Sequence, residues 1–471
     1  MQRFSANMKE DVVWTLAKNL VKVRYEDLPM EAVEATRKSA LDTLGVILAA
    51  SGTTPGLKGL VELVKEGGGR KESTVLGFGV KAPAWMAAFA NGAMVHCLDY
   101  DDIHYYSKGH PSANTVPSAF AVAERLGKVN GKDFITAVAL GSDLFSRLSF
   151  SVGLQTGWHA TALFGVFASA AASGKLLGLN EEQMVDALGL AFCQAAGTQE
   201  LRFGVGSDIG GMRDAFPNKG GVLAALLAQK GIRGVRTCLE GKAGLYNCYF
   251  GGDYDRNALT AELGKRFHGA DMGYKAWPAC GGTHPYIYTV LGMVSEYDIK
   301  PEDVREITVF VGNESQNLCE PLEGRRRPTT SMDAKFSIPF TVGVAVARRK
   351  VGIGDYSAAG LKDPAALALA QKVTPKFDAD YNVSRAIRPA KIEIITNSGK
   401  SYSKRTEFPY GHPKNPVTRE DHLNKFRDCV GYAARPVPKE NVEKAIALVD
   451  RLEEATDVSR VIRLLTPRKQ T

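Results

Sequence analysis

Residues 96–114 read HCLDYDDIHYYSKGHPSAN, and the first fifteen of them hold three aspartates and three histidines. Asp99, Asp101 and Asp102 supply carboxylates. His96, His104 and His110 supply imidazoles, the side chain whose ordinary proton affinity lies nearest neutrality. A histidine on the rigid Gly109-His110-Pro111-Ser112 turn, oriented by a carboxylate, suits general acid or base work, and Ser112 is placed to cap the following helix. A lone loop histidine is most often structural or simply solvated. Three neighbouring aspartates change that balance, because burying several carboxylates together demands a reason. If the preceding helix continues through Asp102, then His96, Asp99 and Asp102 share one of its faces at three-residue spacing. The rival reading is a divalent cation held by His96, Asp99, Asp102 and His104, as in a metal-dependent hydrolase. The HExxH, EF-hand and paired-cysteine patterns are absent, as is the HD dipeptide of metal-dependent phosphohydrolases, so no metal is expected.

Two further polar islands interrupt apolar sequence. Trp158-His159 introduces a run of small residues over 160–174, which places His159 at a helix start. The positive end of the helix dipole there disfavours imidazolium; a capping histidine is the plainer alternative. The stretch YKAWPACGGTHPY carries Lys275, Cys280, Thr283 and His284 on a loop that opens a helix, whose backbone amides suit a carboxylate. Cys280 has no local partner base, so a thiol nucleophile is disfavoured. GVGSDIGG, residues 204–211, is glycine-rich but follows no strand and matches neither the dinucleotide nor the phosphate-loop spacing. It reads as a flexible loop lining the site.

These groups must be positioned by a chain of 471 residues, long enough for two domains. Hydrophobic residues make up 44% and charged residues 23%, ordinary for a soluble globular protein. The net charge of +8 is scattered. The short clusters GRRRP (324–328) and ARRK (347–350) read as solvated surface charge or as attraction for an anionic small molecule; nothing suggests nucleic acid. Seven separated cysteines without a CxxC pair suggest reduced thiols inside a cell. The first residues lack the apolar core of a signal peptide, and no stretch nears the ~20 apolar residues that cross a bilayer. The expectation is a soluble, cytoplasmic protein without a membrane partner.

Apolar residues recur at helical spacing from residue 30 onward, in segments rich in Ala, Gly and Ser that often end at Gly. Near residue 265 the pattern changes. VREITVFVG (304–312) alternates and is β-branched, and residues 390–408 read as two strands around a turn at 397–400. DAKFSIPFTVGVAVARRK and DPAALALAQKV are helical stretches between them. The expected fold is mainly α: a large all-helical domain over 1–265, a smaller α+β domain over 266–408, and C-terminal helices over 409–471 that return to the first domain.

Five stretches taken in order, HCLDYDDIH…GHPSA, GWHATALFGVFASAAA, KAWPACGGTH, DAKFSIPF and GHPKNPVTREDHLNKF, resemble the MmgE/PrpD family and span nearly the whole chain. That family includes 2-methylcitrate dehydratase, cis-aconitate decarboxylase and an iminodisuccinate epimerase. The resemblance implies a helical domain closed by a smaller α+β lid, a homodimer, and no required metal or organic cofactor. It implies that Asp99, His110 and His159 match acidic and histidine positions of the family's active site. Lys275 matches a lysine of the lid-side motif, beside Cys280, Thr283 and His284; His104 joins the expected substrate-binding set. The decarboxylases place a threonine four residues after the first aspartate, where this chain has Ile103. A family lysine falls near Gly210 here, with Arg213 or Lys219 as substitutes, and the tyrosine that decarboxylases supply from the lid has no equivalent around 321–327.

The resulting expectation is a cofactor-independent lyase on a small anionic di- or tricarboxylate, foremost a 2-methylcitrate dehydratase-like hydro-lyase. His110 or His159 would move the proton, Asp99 would orient it, and Lys275 would anchor a carboxylate. An epimerase or decarboxylase of the same family is the nearer alternative. The metal-dependent hydrolase and a non-catalytic carboxylate-binding protein are the alternatives of other classes.

Overall fold

The computed structural model describes residues 11–153, 157–203, 207–382 and 389–466. The chain is mainly helical with a smaller α+β part, and it divides into two compact units. The first unit comprises the chain up to Cys97, Asp101–Met272 and everything from Leu423 onward; the second comprises Leu98–Tyr100 and Gly273–His422.

The first unit is built on helices that are apolar or small on nearly every face. The Met30–Thr53 helix is buried without interruption from Ser39 to Ser51. A helix with no polar face must be surrounded by others. Around it lie the helices Ala84–Val95, Ser112–Leu126, Gly131–Phe150, Ala160–Leu176 and Ala215–Gln229. Small side chains set how closely they pack: a Cβ added at Gly221 would stand 2.4 Å from Ser169 Cβ on the Ala160–Leu176 helix. The core includes Leu144, Phe145, Leu163, Phe164 and Phe167. A small hairpin, β1 (Ser73–Val75) against β2 (Val80–Ala82), packs on this unit. Among the described residues no single helix is long and apolar enough to cross a membrane.

The second unit holds a four-stranded sheet of order β4-β3-β5-β6, with β3 at Val304–Val311, β4 at Val373–Phe377, β5 at Ala390–Thr396 and β6 at Ser401–Thr406. β3 runs parallel to β4 and antiparallel to β5, and β5 pairs antiparallel with β6. Along β5, Ala390, Ile392, Ile394 and Thr396 are buried while the residues between them are half-exposed, the alternation of a sheet with one covered face. The β5–β6 turn uses Gly399 at a φ of +83°. Helices His284–Glu296 and Ile338–Arg348 cover the buried face, with Ile287, Val290, Val342 and Val346 in one core with Ile307, Val309 and Ile392. β4 begins where the apolar helical stretch 363–373 ends and has no clear signal of its own in the sequence; its Pro375 is tolerated because β4 is an edge strand.

Two local expectations are corrected. The Ala84–Val95 helix does not run on through Asp102: His96 is its C-cap, and Asp99 has a φ of +49°, a left-handed conformation no α-helix contains. His96, Asp99 and Asp102 therefore share no helical face. Ser112 is not a cap but the first helical residue, because the Pro111 carbonyl already accepts from the amides of Asn114 and Thr115.

Candidate active site

With the helix ended at Val95, the following turn brings three side chains of the first unit together. Asp101 is fully enclosed. Its Oδ1 lies 2.8 Å from Nδ1 of His96, and its Oδ2 lies 2.8 Å from Nδ1 of His110. His110 Nδ1 also lies 2.7 Å from the Asp102 backbone carbonyl oxygen. Among the described residues, oxygens lie at hydrogen-bond distance from both Nδ1 atoms, so in each neutral ring Nδ1 carries the hydrogen and Nε2 keeps the lone pair. Burial by itself would push the Asp101 carboxyl up, but the His110 and His96 imidazoles outweigh it and hold Asp101 well below the usual carboxylate range.

The His110 loop is fixed from several sides. The His110 amide donates to Thr161 Oγ1 at 3.2 Å, which ties it to the helix that His159 introduces. His159 occupies the N-cap position there, half-buried, and its side chain makes no capping hydrogen bond. A Cβ at Gly109 would stand 2.5 Å from Phe145 Cζ, so only glycine lets the loop lie this close to the core. His104 and Gly109 bridge the loop's two ends. His104 is fully buried with both nitrogens used: Nδ1 accepts from the Ser107 amide at 3.0 Å, and Nε2 donates to the His268 carbonyl at 2.8 Å. Burial pushes its imidazole down to about 4. His104 thus closes the loop as a neutral ring.

Burial pushes the Asp102 carboxyl well above its ordinary value, and the Asp42 carboxylate raises it further; the Ser39 and Ser112 hydroxyls work the other way. Arg213 is 7% exposed. Its guanidinium donates to the Gly210 carbonyl, and its Nε lies 4.0 Å from Asp214 Oδ2. Asp214 Oδ1 accepts from Asn114 Nδ2 at 3.3 Å, one turn beyond His110. Lys219 points elsewhere, over the rings of Trp85 and Phe89 at 5.6 and 5.8 Å. Residues 204–206 of the glycine-rich loop lie outside the described residues.

The other expected residues assemble in the second unit. Lys275 is 1% exposed; its Nζ donates to the Asp99 backbone carbonyl at 2.9 Å and pairs with the Asp99 carboxylate. A buried ammonium needs a countercharge, and Asp99 supplies it. Asp99 is therefore the partner of Lys275, and the carboxylate that orients His110 is Asp101. In the same unit Cys280, Thr283 and His284 are buried at the start of the His284–Glu296 helix. Thr283 Oγ1 donates to the Cys280 carbonyl at 2.8 Å, and His284 Nε2 lies 3.1 Å from the Ala279 carbonyl oxygen.

Sequence reasoning counted Asp101 among the three aspartates but gave it no role of its own, and gave His96 only to a metal site. Their pairing at five-residue separation depends on the chain reversal at 97–100, which no spacing rule announces. The hydrolase ligand set of His96, Asp99, Asp102 and His104 does not form, because Asp99 pairs with Lys275 and His104 has no ring nitrogen to spare. His96, Asp101 and His110 do bring ligand-type atoms within 4.8 Å of one another. Both Nδ1 atoms are already engaged there at hydrogen-bond distance by the one carboxylate.

The family model for the MmgE/PrpD N-terminal domain matches residues 15–257, and that for the MmgE/PrpD C-terminal domain matches residues 277–454. The chain belongs to the MmgE/PrpD family. Among relatives, this MmgE/PrpD chain is 26% identical to a cis-aconitate decarboxylase of Aspergillus terreus over 98% of both proteins. It is 25% identical to the Homo sapiens cis-aconitate decarboxylase, covering 97% of this chain and 95% of that one. With the 2-methylcitrate dehydratase of Escherichia coli K12 it shares 23% over 86% of each. These MmgE/PrpD relatives are enzymes of two different reactions.

Proposed function

We propose that this MmgE/PrpD protein is a lyase that moves a proton at carbon in a small di- or tricarboxylate, using its own side chains. The observation that carries the reading is the Asp101 clamp, which leaves Nε2 of His110 as a base. An imidazole near neutrality is well matched to abstracting a proton beside a carboxyl carbon. As His110 takes that proton, Asp101 stabilises the imidazolium that forms, as a buried carboxylate does for a histidine base. The electron pair left on carbon moves into a new C=C bond as the neighbouring hydroxyl departs. His159, on the helix tied to His110 through Thr161, gives the hydroxyl the proton that lets it leave as water. Arg213 is suited to hold a substrate carboxylate: its Nε has no hydrogen-bond partner among the described residues, and its nearest countercharge stands 4.0 Å away. Lys275 contributes through Asp99, which it neutralises.

Dehydration of a 2-methylcitrate-like hydroxy acid is the leading reaction. Decarboxylation is the second reading, supported by relatives of that name that match this chain end to end. Against it stands Ile103, buried where the resemblance leads one to expect the decarboxylases' threonine. Incubating the protein with 2-methylcitrate and, separately, with cis-aconitate, and following both by proton NMR in heavy water, decides between them. Loss of water from 2-methylcitrate is the expected result. Carbon dioxide released from cis-aconitate in its place establishes the second reading. No turnover and no deuterium incorporation with any di- or tricarboxylate overturns both.

A further inference from the structure

The Nδ1 side of His110 rests on a second set of buried charges in the first unit. The Asp102 carbonyl, one of the two oxygens facing Nδ1, belongs to a residue whose own side chain is fully buried, its carboxyl pushed up by that burial and by the Asp42 carboxylate. Asp42 and Ser39 lie one turn apart on the Met30–Thr53 helix. Asp42 in turn pairs with Lys425 at 2.7 Å, their side chains 0% and 7% exposed. Lys425 comes from the segment after Leu423 that returns to this unit. Its approach is shaped by a glycine: a Cβ at Gly45 would meet Phe426 at 3.0 Å.

Three aspartates (Asp42, Asp101 and Asp102) are thus buried in the first unit. Asp101 is balanced by two imidazoles; Lys425 is the ammonium that balances Asp42. Removing one partner of a buried pair leaves an uncompensated charge that the surroundings must move to accommodate. The Asp101-Asp102 turn carries both oxygens of the His110 clamp, so any shift of that turn is felt at Nδ1.

We propose that Lys425 is a positioning residue for the proton-transfer histidine: by holding Asp42 it fixes the Asp101-Asp102 turn, and so keeps the hydrogen of His110 on Nδ1 and the lone pair on Nε2. The inference rests on the reading that His110 moves the proton, and its primary test needs no substrate. Imidazole nitrogen shifts of the full-length protein labelled with 15N-histidine, assigned with His110→Gln, report the tautomer of His110 directly. The wild type shows the Nδ1–H form. Lys425→Met gives a mixture of tautomers, and Lys425→Arg retains the wild-type signal. Lys425→Met/Asp42→Asn, which removes both buried charges, restores it. On a substrate turned over by the wild type, Lys425→Met lowers kcat at least tenfold with KM within threefold, and the double variant recovers most of the loss. A folded Lys425→Met protein with an unchanged His110 tautomer overturns the proposal, whatever its melting temperature. If Lys425→Met does not fold, Asp42→Asn carries the test, because it removes the carboxylate that Lys425 holds. An unchanged His110 spectrum in that folded variant overturns the proposal equally. Absence of turnover in the wild type bears on the lyase reading alone and leaves the tautomer result intact.

Discussion

The rings of His96 and His110 meet edge to face, their centroids 4.7 Å apart and their planes at 69°, with the Asp101 carboxylate reaching Nδ1 of each. One buried carboxylate thus reaches two imidazoles, the arrangement by which a carboxylate orients a histidine ring.

Replacing His110 with Ala removes the ring whose Nε2 is aimed by that clamp. Turnover is expected to fall by at least ~100-fold, the scale of losing a general acid–base group. Steady-state assay on whichever carboxylate the wild type consumes checks this; a loss of only a few-fold takes His110 out of the mechanism.

Asp101→Asn keeps the shape but withdraws the charge from two imidazoles. A drop in kcat of roughly 100-fold or more is expected, as for other buried carboxylates that orient a histidine base. The same variant changes the acid limb of stability. Asp101 titrates well below its ordinary value in the folded protein, so its ionised form stabilises the fold above that ordinary value. That contribution is lost as pH falls from about 4 toward the depressed folded value. Urea midpoints measured from pH 7 down to pH 3 should fall less steeply in Asp101→Asn, and parallel curves would contradict the assignment.

Lys275→Met removes the ammonium that pairs with the buried Asp99 carboxylate in the second unit. Breaking a buried pair from one side costs about 3–5 kcal/mol. Lys275→Met/Asp99→Asn should regain much of that loss, since neither charge then remains. Denaturant unfolding of both variants reads this out, and equal destabilisation in the two would mean the pair carries no coupling.

His104 makes a prediction of opposite character. It is neutral in the fold, pushed down to about 4 by burial, and ordinary at 6.5 once unfolded. Its contribution is therefore complete above pH 6.5 and is lost as pH falls toward 4, by on the order of 3 kcal/mol at most. His268, whose carbonyl accepts from His104, is likewise lowered to about 4, by burial and then Arg147, and titrates over the same window. His104→Gln should be less stable than the wild type at pH 7.5 and should lose part of the stability decline between pH 6.5 and 4. An undiminished decline in His104→Gln would show that His104 is not the group responsible.

Much of this was legible in residue order. Alternating β-branched residues announced β3 and the β5–β6 hairpin, because one covered face of a sheet imposes a period of two. His159 at a helix start and Thr283-His284 opening another follow from local apolar periodicity. The motif order alone pointed to the MmgE/PrpD family. Local rules also show where they stop. β4 was not read at all: the helical stretch before it was taken to end at its first residue, Val373, and five residues of an edge strand carry too little periodicity to announce themselves. Asp99 was taken for the orienting carboxylate because it matched an acidic position of the family's motif, while Asp101 was given no role of its own. Only the folded chain decided that exchange. Sequence fixes which charges must be buried somewhere, while the pairing of Asp101 with two imidazoles, of Asp99 with Lys275 and of Asp42 with Lys425 depends on backbone reversals and contacts up to several hundred residues apart. A buried charge takes the partner that tertiary packing brings within reach, and proximity along the chain does not predict which partner that is.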